Sequence, residues 1–171
     1  HVLTHSFPTR RSSDLLRWDL AGAVSQNQIK QYHLYAWSDQ AGTEVLTTYD
    51  RTPIAYSPQL VLSNTLTFTH RAFEAALTSQ YVGMQYLDNT GSRERSLPAY
   101  HVASLRLGYE LPVHFVRSWS ISLQINNLFD ARYSSNGGAG YTFDKKGVII
   151  SYTWTYPQAG IHAFLGTTIT I

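Results

Sequence analysis

The sequence predicts an all-β fold: an antiparallel meander of about six strands of membrane-spanning length. Three observations carry that prediction. Residues 119–125 read W-S-I-S-L-Q-I, so Trp119, Ile121, Leu123 and Ile125 share one strand face while Ser120, Ser122 and Gln124 share the other. The composition suits lipid better than water: 14% of the 171 residues are charged and 13% aromatic, including 12 Tyr and 4 Trp. Soluble domains carry about 25% charge. Finally, no apolar run approaches the ~18 residues of a transmembrane helix, so a membrane role must come from strands.

Each strand follows from the same alternation. Residues 17–27 place Trp18, Leu20, Gly22 and Val24 on the apolar face. Residues 59–69 place Leu60, Leu62, Leu66 and Phe68 there, and residues 72–83 place Phe73, Ala75, Leu77 and Tyr81. Residues 99–109 contribute Ala103, Leu105, Leu107 and Tyr109; residues 118–127 carry the Trp119 series. Residues 161–171 close the chain with Ala163, Leu165, Thr167, Ile169 and Ile171. Every segment is near the ~9–11 residues that a tilted strand needs to cross a bilayer. The other parity is polar, with Asp19, Thr65, Thr67, Glu74, Thr78, Ser104, Arg106, Ser122, Gln124 and Thr168. Such residues fit a wet or plugged lumen rather than a packed core. Glu74 and Arg106 are expected to pair across neighbouring strands.

The connections alternate in length. Those at residues 69–72 and 110–117 are short, whereas residues 28–58, 84–98 and 128–160 form long ones. Outer-membrane barrels have short periplasmic turns and long extracellular loops. With that topology Trp18, Phe68, Phe73, Tyr109 and Trp119 fall at the periplasmic end on the outward parity, an aromatic girdle. Residues 17–27 and 161–171 would form unpaired edges, and in lipid only closure removes edges. The isolated chain is therefore not expected to be a soluble monomer.

Two motifs add a resemblance. Asn126-Asn-Leu-Phe-Asp130, a long Gly/Tyr/Ser-rich stretch, Tyr156-Pro-Gln-Ala-Gly160 and a last alternating strand follow one another. That order resembles the C-terminal end of TonB-dependent outer-membrane receptors. Tyr81-Val-Gly-Met-Gln-Tyr-Leu-Asp-Asn-Thr90 is similar to the version in the Bacteroidetes-type branch of that family. The resemblance covers roughly residues 16–171. It implies the C-terminal part of a large outer-membrane β-barrel of about 22 strands around an N-terminal plug. It also implies bacterial outer-membrane localisation and uptake of a scarce ligand, whether iron–siderophore, cobalamin or glycan. The expected partners are outer-membrane lipid, that small-molecule or glycan ligand, and the TonB complex acting through a plug outside this chain. Family members usually end in an aromatic residue; Ile171 departs from that pattern.

Residues 5–15, H-S-F-P-T-R-R-S-S-D-L, are identical to one reading-frame translation of a common sequencing adaptor. Residues 1–15 are accordingly expected to be non-native and without a structural partner, leaving 16–171 as the barrel part. The segment has no apolar stretch after its basic residues, as a signal peptide would.

Chemistry-bearing patterns are sparse. With no Cys there is neither disulfide framework nor thiolate site. A net charge of +2 gives no argument for a nucleic-acid partner. His33, His70, His101, His114 and His162 are scattered, and His1 and His5 lie in the adaptor-like segment. No G-x-S-x-G elbow occurs. Gly137-Gly-Ala-Gly140 reads as a flexible loop tip, and Asp88, Asp130 and Asp144 as solvated loop carboxylates. No catalytic, cofactor or metal site is expected. Ligand contacts are expected from aromatic rings in the long loops: Trp37 and Tyr141 first, being nearest the loop middles, then Tyr35, Phe143 and Trp154. Two other classes fit the alternation alone: a small porin-like or adhesin-like barrel, and a barrel-embedded hydrolase.

Overall fold

Period-two alternation becomes a single open sheet in the computed structural model, which describes residues 2–5, 15–38, 42–143 and 149–171. The strands are β1 (Val2–His5), β2 (Leu16–Val24), β3 (Gln28–Ser38), β4 (Thr43–Pro53), β5 (Leu60–His70), β6 (Phe73–Val82), β7 (Gln85–Tyr86), β8 (Ser96–Leu97), β9 (Tyr100–Glu110), β10 (Ser118–Asn126), β11 (Ser134–Phe143), β12 (Ile149–Pro157) and β13 (His162–Thr170). The main sheet runs β1-β2-β5-β6-β9-β10-β13, with every pairing antiparallel. The six expected strands are β2, β5, β6, β9, β10 and β13, each close to its expected bounds.

Register keeps the two parities apart across the whole sheet. Trp18 faces Leu66, which faces Leu77, then Leu105, Ile125 and Ala163. One step along, Thr65 faces Thr78 and Thr78 faces Ser104; the two Thr hydroxyls are 3.1 Å apart. A one-residue slip would exchange these faces everywhere, so the pattern fixes the register. The apolar face is open: Trp18 is 57% and Leu165 78% exposed. A sheet in water would cover such a face, and contiguous exposure on this scale marks a lipid or partner surface. The expected girdle forms at one end. Phe68 and Phe73 have ring centroids 6.5 Å apart, Phe73 faces Tyr109, and Trp119 donates its indole N–H to Thr167 Oγ1 at 2.8 Å.

One polar pair interrupts the apolar face. Asn64 faces Ser79 there and donates Nδ2–H to its Oγ at 2.6 Å. Pairing lowers the cost of placing two polar groups on that side.

Four expectations need correction. Val2–His5 has a backbone partner: it pairs with residues 20–23 of β2. The open edge of β2 offers unpaired N–H and C=O groups to any extended segment, and pairing of this kind asks little of the added sequence. The sheet edges are therefore β1 and β13 rather than β2 and β13. Glu74 and Arg106 do not form an ion pair: Glu74 faces Gly108 and Arg106 faces Ala76, a diagonal offset. The long connections are not loops throughout. They fold into two-stranded ribbons, β3–β4, β7–β8 and β11–β12, with Gly137–Gly140 paired inside β11 rather than forming a flexible tip.

Candidate functional site

The buried residues are not in the sheet centre. Leu34, Val82, Leu87, Leu97 and Ala103 are the buried apolar side chains among the described residues, with Thr52, Gln85, Arg95 and Asn127 buried beside them. All lie on the ribbons or at the strand ends nearest them. The three ribbons thus form a small packed cap on one end of the sheet, and β11 packs against β3 and β8.

The two family-like motifs build one joint of this cap. After β10, Asn127 turns the chain with φ 49°, a left-handed conformation that Asn tolerates. Its Nδ2 donates to the carbonyls of Ala131 (2.9 Å) and Ala159 (3.1 Å), and its Oδ1 accepts from the Ala131 N–H at 2.9 Å. Asp130, also left-handed at φ 51°, accepts the Ile161 N–H at 2.9 Å. A Cβ at Gly160 would sit 2.5 Å from that Asp130 oxygen. Gly160 is therefore required for close approach. Past it, His162 donates Nδ1–H to the Gly160 carbonyl at 2.8 Å, since a carbonyl can only accept. Nε2 then accepts from Asn126 Nδ2 at 3.2 Å.

The Tyr81–Thr90 motif builds a second joint. Asp88 accepts Arg95 Nε–H at 2.6 Å, and its other oxygen accepts the Thr90 N–H (3.0 Å) and hydroxyl (2.6 Å). Arg95 also donates to Thr90 Oγ1 at 2.6 Å. Neighbouring Asn89 accepts the Ala55 N–H at 2.7 Å, and the Tyr56 hydroxyl donates to the Gly137 carbonyl at 2.9 Å. These bonds tie the segment after β4 to β11 and to the β7–β8 connection. Asp88 is thus a structural carboxylate, not a solvated one.

Beside the first joint lies a cleft of about 650 Å³, lined by Leu97, Pro98, Asp130, Arg132, Tyr133, Thr155 and Gln158 among others. That volume is in the range of small-ligand sites. Tyr133 stacks on Tyr100 at 4.5 Å between centroids, which fixes one wall.

The five expected contact residues fall into separate groups. Tyr35 and Trp37 lie two apart on β3, both more than half exposed, with Tyr35 facing Leu46 and Trp37 facing Glu44. Trp154 lies on β12, faces Gly138 and stacks with Tyr152 at 5.9 Å and 29°. Tyr141 and Phe143 are on β11, opposite Ser151 and Ile149; their side chains lie outside the described residues. The Asp88–Arg95 pairing was not expected from the sequence, nor was the placement of Tyr152 and Trp154 opposite glycines. The spacing of Tyr152 and Trp154 opposite Gly140 and Gly138 was the available signal.

Comparison with known proteins agrees with this geometry. The family model described as TonB dependent receptor-like, beta-barrel, matches residues 13–128, well over half of the chain. The closed-form crystal structure of the ferric-catecholate import receptor Fiu from Escherichia coli K12 superposes with a TM-score of 0.57 at 18% identity. The match covers 91% of this chain and 18% of Fiu, so the chain spans under a fifth of that receptor's length. Sequence similarity also extends to an FMN-dependent NADH:quinone oxidoreductase of Shigella flexneri serotype 5b (strain 8401), and to the same-named protein of Shigella flexneri. Each is 28% identical over 151 residues, covering 84% of this chain and 67% of the relative. That likeness is too low to establish catalysis, whereas the family match describes a receptor β-barrel and the sheet and register are those of such a wall. This chain belongs to the TonB-dependent receptor β-barrel family.

Proposed function

We propose that this chain forms part of the barrel wall and three extracellular ribbons of an outer-membrane receptor for TonB-dependent uptake of a scarce ligand. The observation that carries the reading is the separation of faces. A continuous apolar face runs across six paired strands, and every long ribbon lies at the end opposite the aromatic girdle. A membrane-spanning wall explains both facts. In this reading the receptor is not an enzyme. Energy comes from the TonB complex acting on a plug, and the ribbons meet the ligand first. Trp37, Tyr35, Trp154, Tyr141 and Phe143 are the ring-bearing contacts, suited to siderophore, cobalamin or glycan faces alike. Residues 1–15 contribute nothing to uptake, being adaptor-derived.

The test is a single-cysteine scan of the complete receptor in intact cells. Cysteines at Trp37 and Tyr141 should react with a membrane-impermeant maleimide, and cysteines at His70 and His114 should not. Labelling of the two His positions instead would invert the topology and remove the ribbons from ligand capture.

A further inference from the structure

The β11–β12 ribbon carries a surface that its neighbours do not cover. On one face, Leu87 comes within 3.4 Å of where a Gly137 Cβ would sit, so that face is packed. The other face bears Tyr152, Trp154 and Tyr156 in one period-two row, 58%, 45% and 56% exposed. Tyr152 faces Gly140 and Trp154 faces Gly138. A Cβ on Gly138 would lie 2.3 Å from Trp154 Cζ2, and one on Gly140 would lie 2.3 Å from Tyr152 Cζ. Both rings therefore lie down across the glycine backbone of the partner strand. Only glycine permits this, and it explains a glycine-rich stretch inside a paired strand. The result is a flat aromatic shelf whose first two rings stack at 5.9 Å and 29°. The other described residues of the face are Asn136, Thr142 and Ile150, so none of its described side chains is charged.

We infer that this shelf binds a neutral oligosaccharide, with successive sugar rings lying on Tyr152, Trp154 and Tyr156. The inference rests on the receptor reading above and narrows its ligand class. The chemistry favours it in three ways. Pyranose rings present flat C–H faces, and their preferred protein surface is an exposed aromatic ring. A row of rings along a strand repeats at about twice the 3.3–3.4 Å rise, or ~6.7 Å, comparable to one sugar residue of a linear chain. An anionic iron chelate wants cationic donors at close range, and the described part of this face offers none. Rings already held against glycine also lose little freedom on binding.

The experiment uses the complete detergent-solubilised receptor, titrated calorimetrically with maltoheptaose, cellohexaose, xylohexaose and inulin-derived fructan oligomers. At least one probe should bind. Trp154→Ala should weaken that binding at least tenfold, and Trp154→Phe should restore most of it. Gly138→Ala, which removes no ring but lifts the indole off the backbone, should weaken it similarly. Circular dichroism and heat-dependent gel mobility should show the variants folded. Binding unchanged in both Trp154→Ala and Gly138→Ala would overturn the inference, as would binding of none of the four glycans. So would loss of lipopolysaccharide association in Trp154→Ala with glycan binding intact, which would make the row part of the outer girdle. In each case TonB-dependent uptake of a different ligand by the same receptor would leave the transport reading standing.

Discussion

Removing the Asp88 carboxylate should open the cap locally. Asp88 and Arg95 are 2.6 Å apart, with side chains 13% and 8% exposed, so their charges meet largely out of water. Removing one partner of a buried pair typically costs 3–5 kcal/mol, because the other charge stays desolvated. Arg95 keeps its bond to Thr90 Oγ1, which sets the expected loss in Asp88→Ala at the lower end, about 3 kcal/mol. At 1.4 kcal/mol per tenfold, that raises the open population of the β7–β8 connection by roughly a hundredfold. Arg93, two residues from the pair, is exposed. Trypsin added to intact cells should therefore cut after Arg93 or Arg95 about a hundredfold faster in the variant, while opening remains fast relative to cleavage. The strands and global thermal midpoint should change far less. Asp88→Ala combined with Arg95→Met should recover most of the resistance, since no charge is then left buried. Cleavage of Asp88→Ala at the wild-type rate would refute the argument that this pair holds the cap.

Three further variants test separate sites, all read as thermal midpoints of the complete receptor in detergent. Gly160→Ala should lower stability by about 1.5–3 kcal/mol, because its Cβ displaces the carboxylate that accepts the Ile161 N–H; an unchanged midpoint would count against the joint. Thr52→Val should be neutral or stabilising, since the buried Thr52 hydroxyl has no hydrogen-bond partner among the described residues and its removal leaves none of them unsatisfied. Asn64→Leu with Ser79→Ala should hold or raise the midpoint, because both replacements suit a lipid-facing surface; a clear fall would mean that this pair meets something other than lipid.

The strands of the sheet were legible because each carries its own evidence. In β10 the exchange of Trp119, Ser120, Ile121 and Ser122 is local, and nothing elsewhere in the chain is needed to read it. The ribbons were not legible, because their evidence is divided between strands. Gly138 and Gly140 look like a flexible tip until Trp154 and Tyr152 are placed opposite them, and that pairing spans a stretch of chain with no alternation of its own. The Asp88–Arg95 pair hid for a similar reason: its seven-residue separation crosses a 3-10 turn at Arg93–Arg95. Asp130 was read as a solvated loop carboxylate, because its acceptor role needs Ile161, on the far side of the β11–β12 ribbon. Trp37 and Tyr141 were expected near the middles of their connections. Register places them in the pairs Trp37–Glu44 and Tyr141–Ser151, near the last pairs of the β3–β4 and β11–β12 ribbons.

The claim on which the rest depends is that the two faces of the sheet meet lipid and lumen respectively. Spin labels placed singly at Leu66, Leu77 and Leu105, and at Thr65, Thr78 and Ser104, sample two neighbouring rows of the same three strands. In the complete receptor reconstituted in bilayers, the first three should collide chiefly with dissolved oxygen and show little access to a water-soluble nickel chelate. The second three should show the reverse, or low access to both where a plug covers them. Nickel access at the Leu positions with oxygen access at the Thr and Ser positions would contradict the assignment of faces, and the transport reading with it.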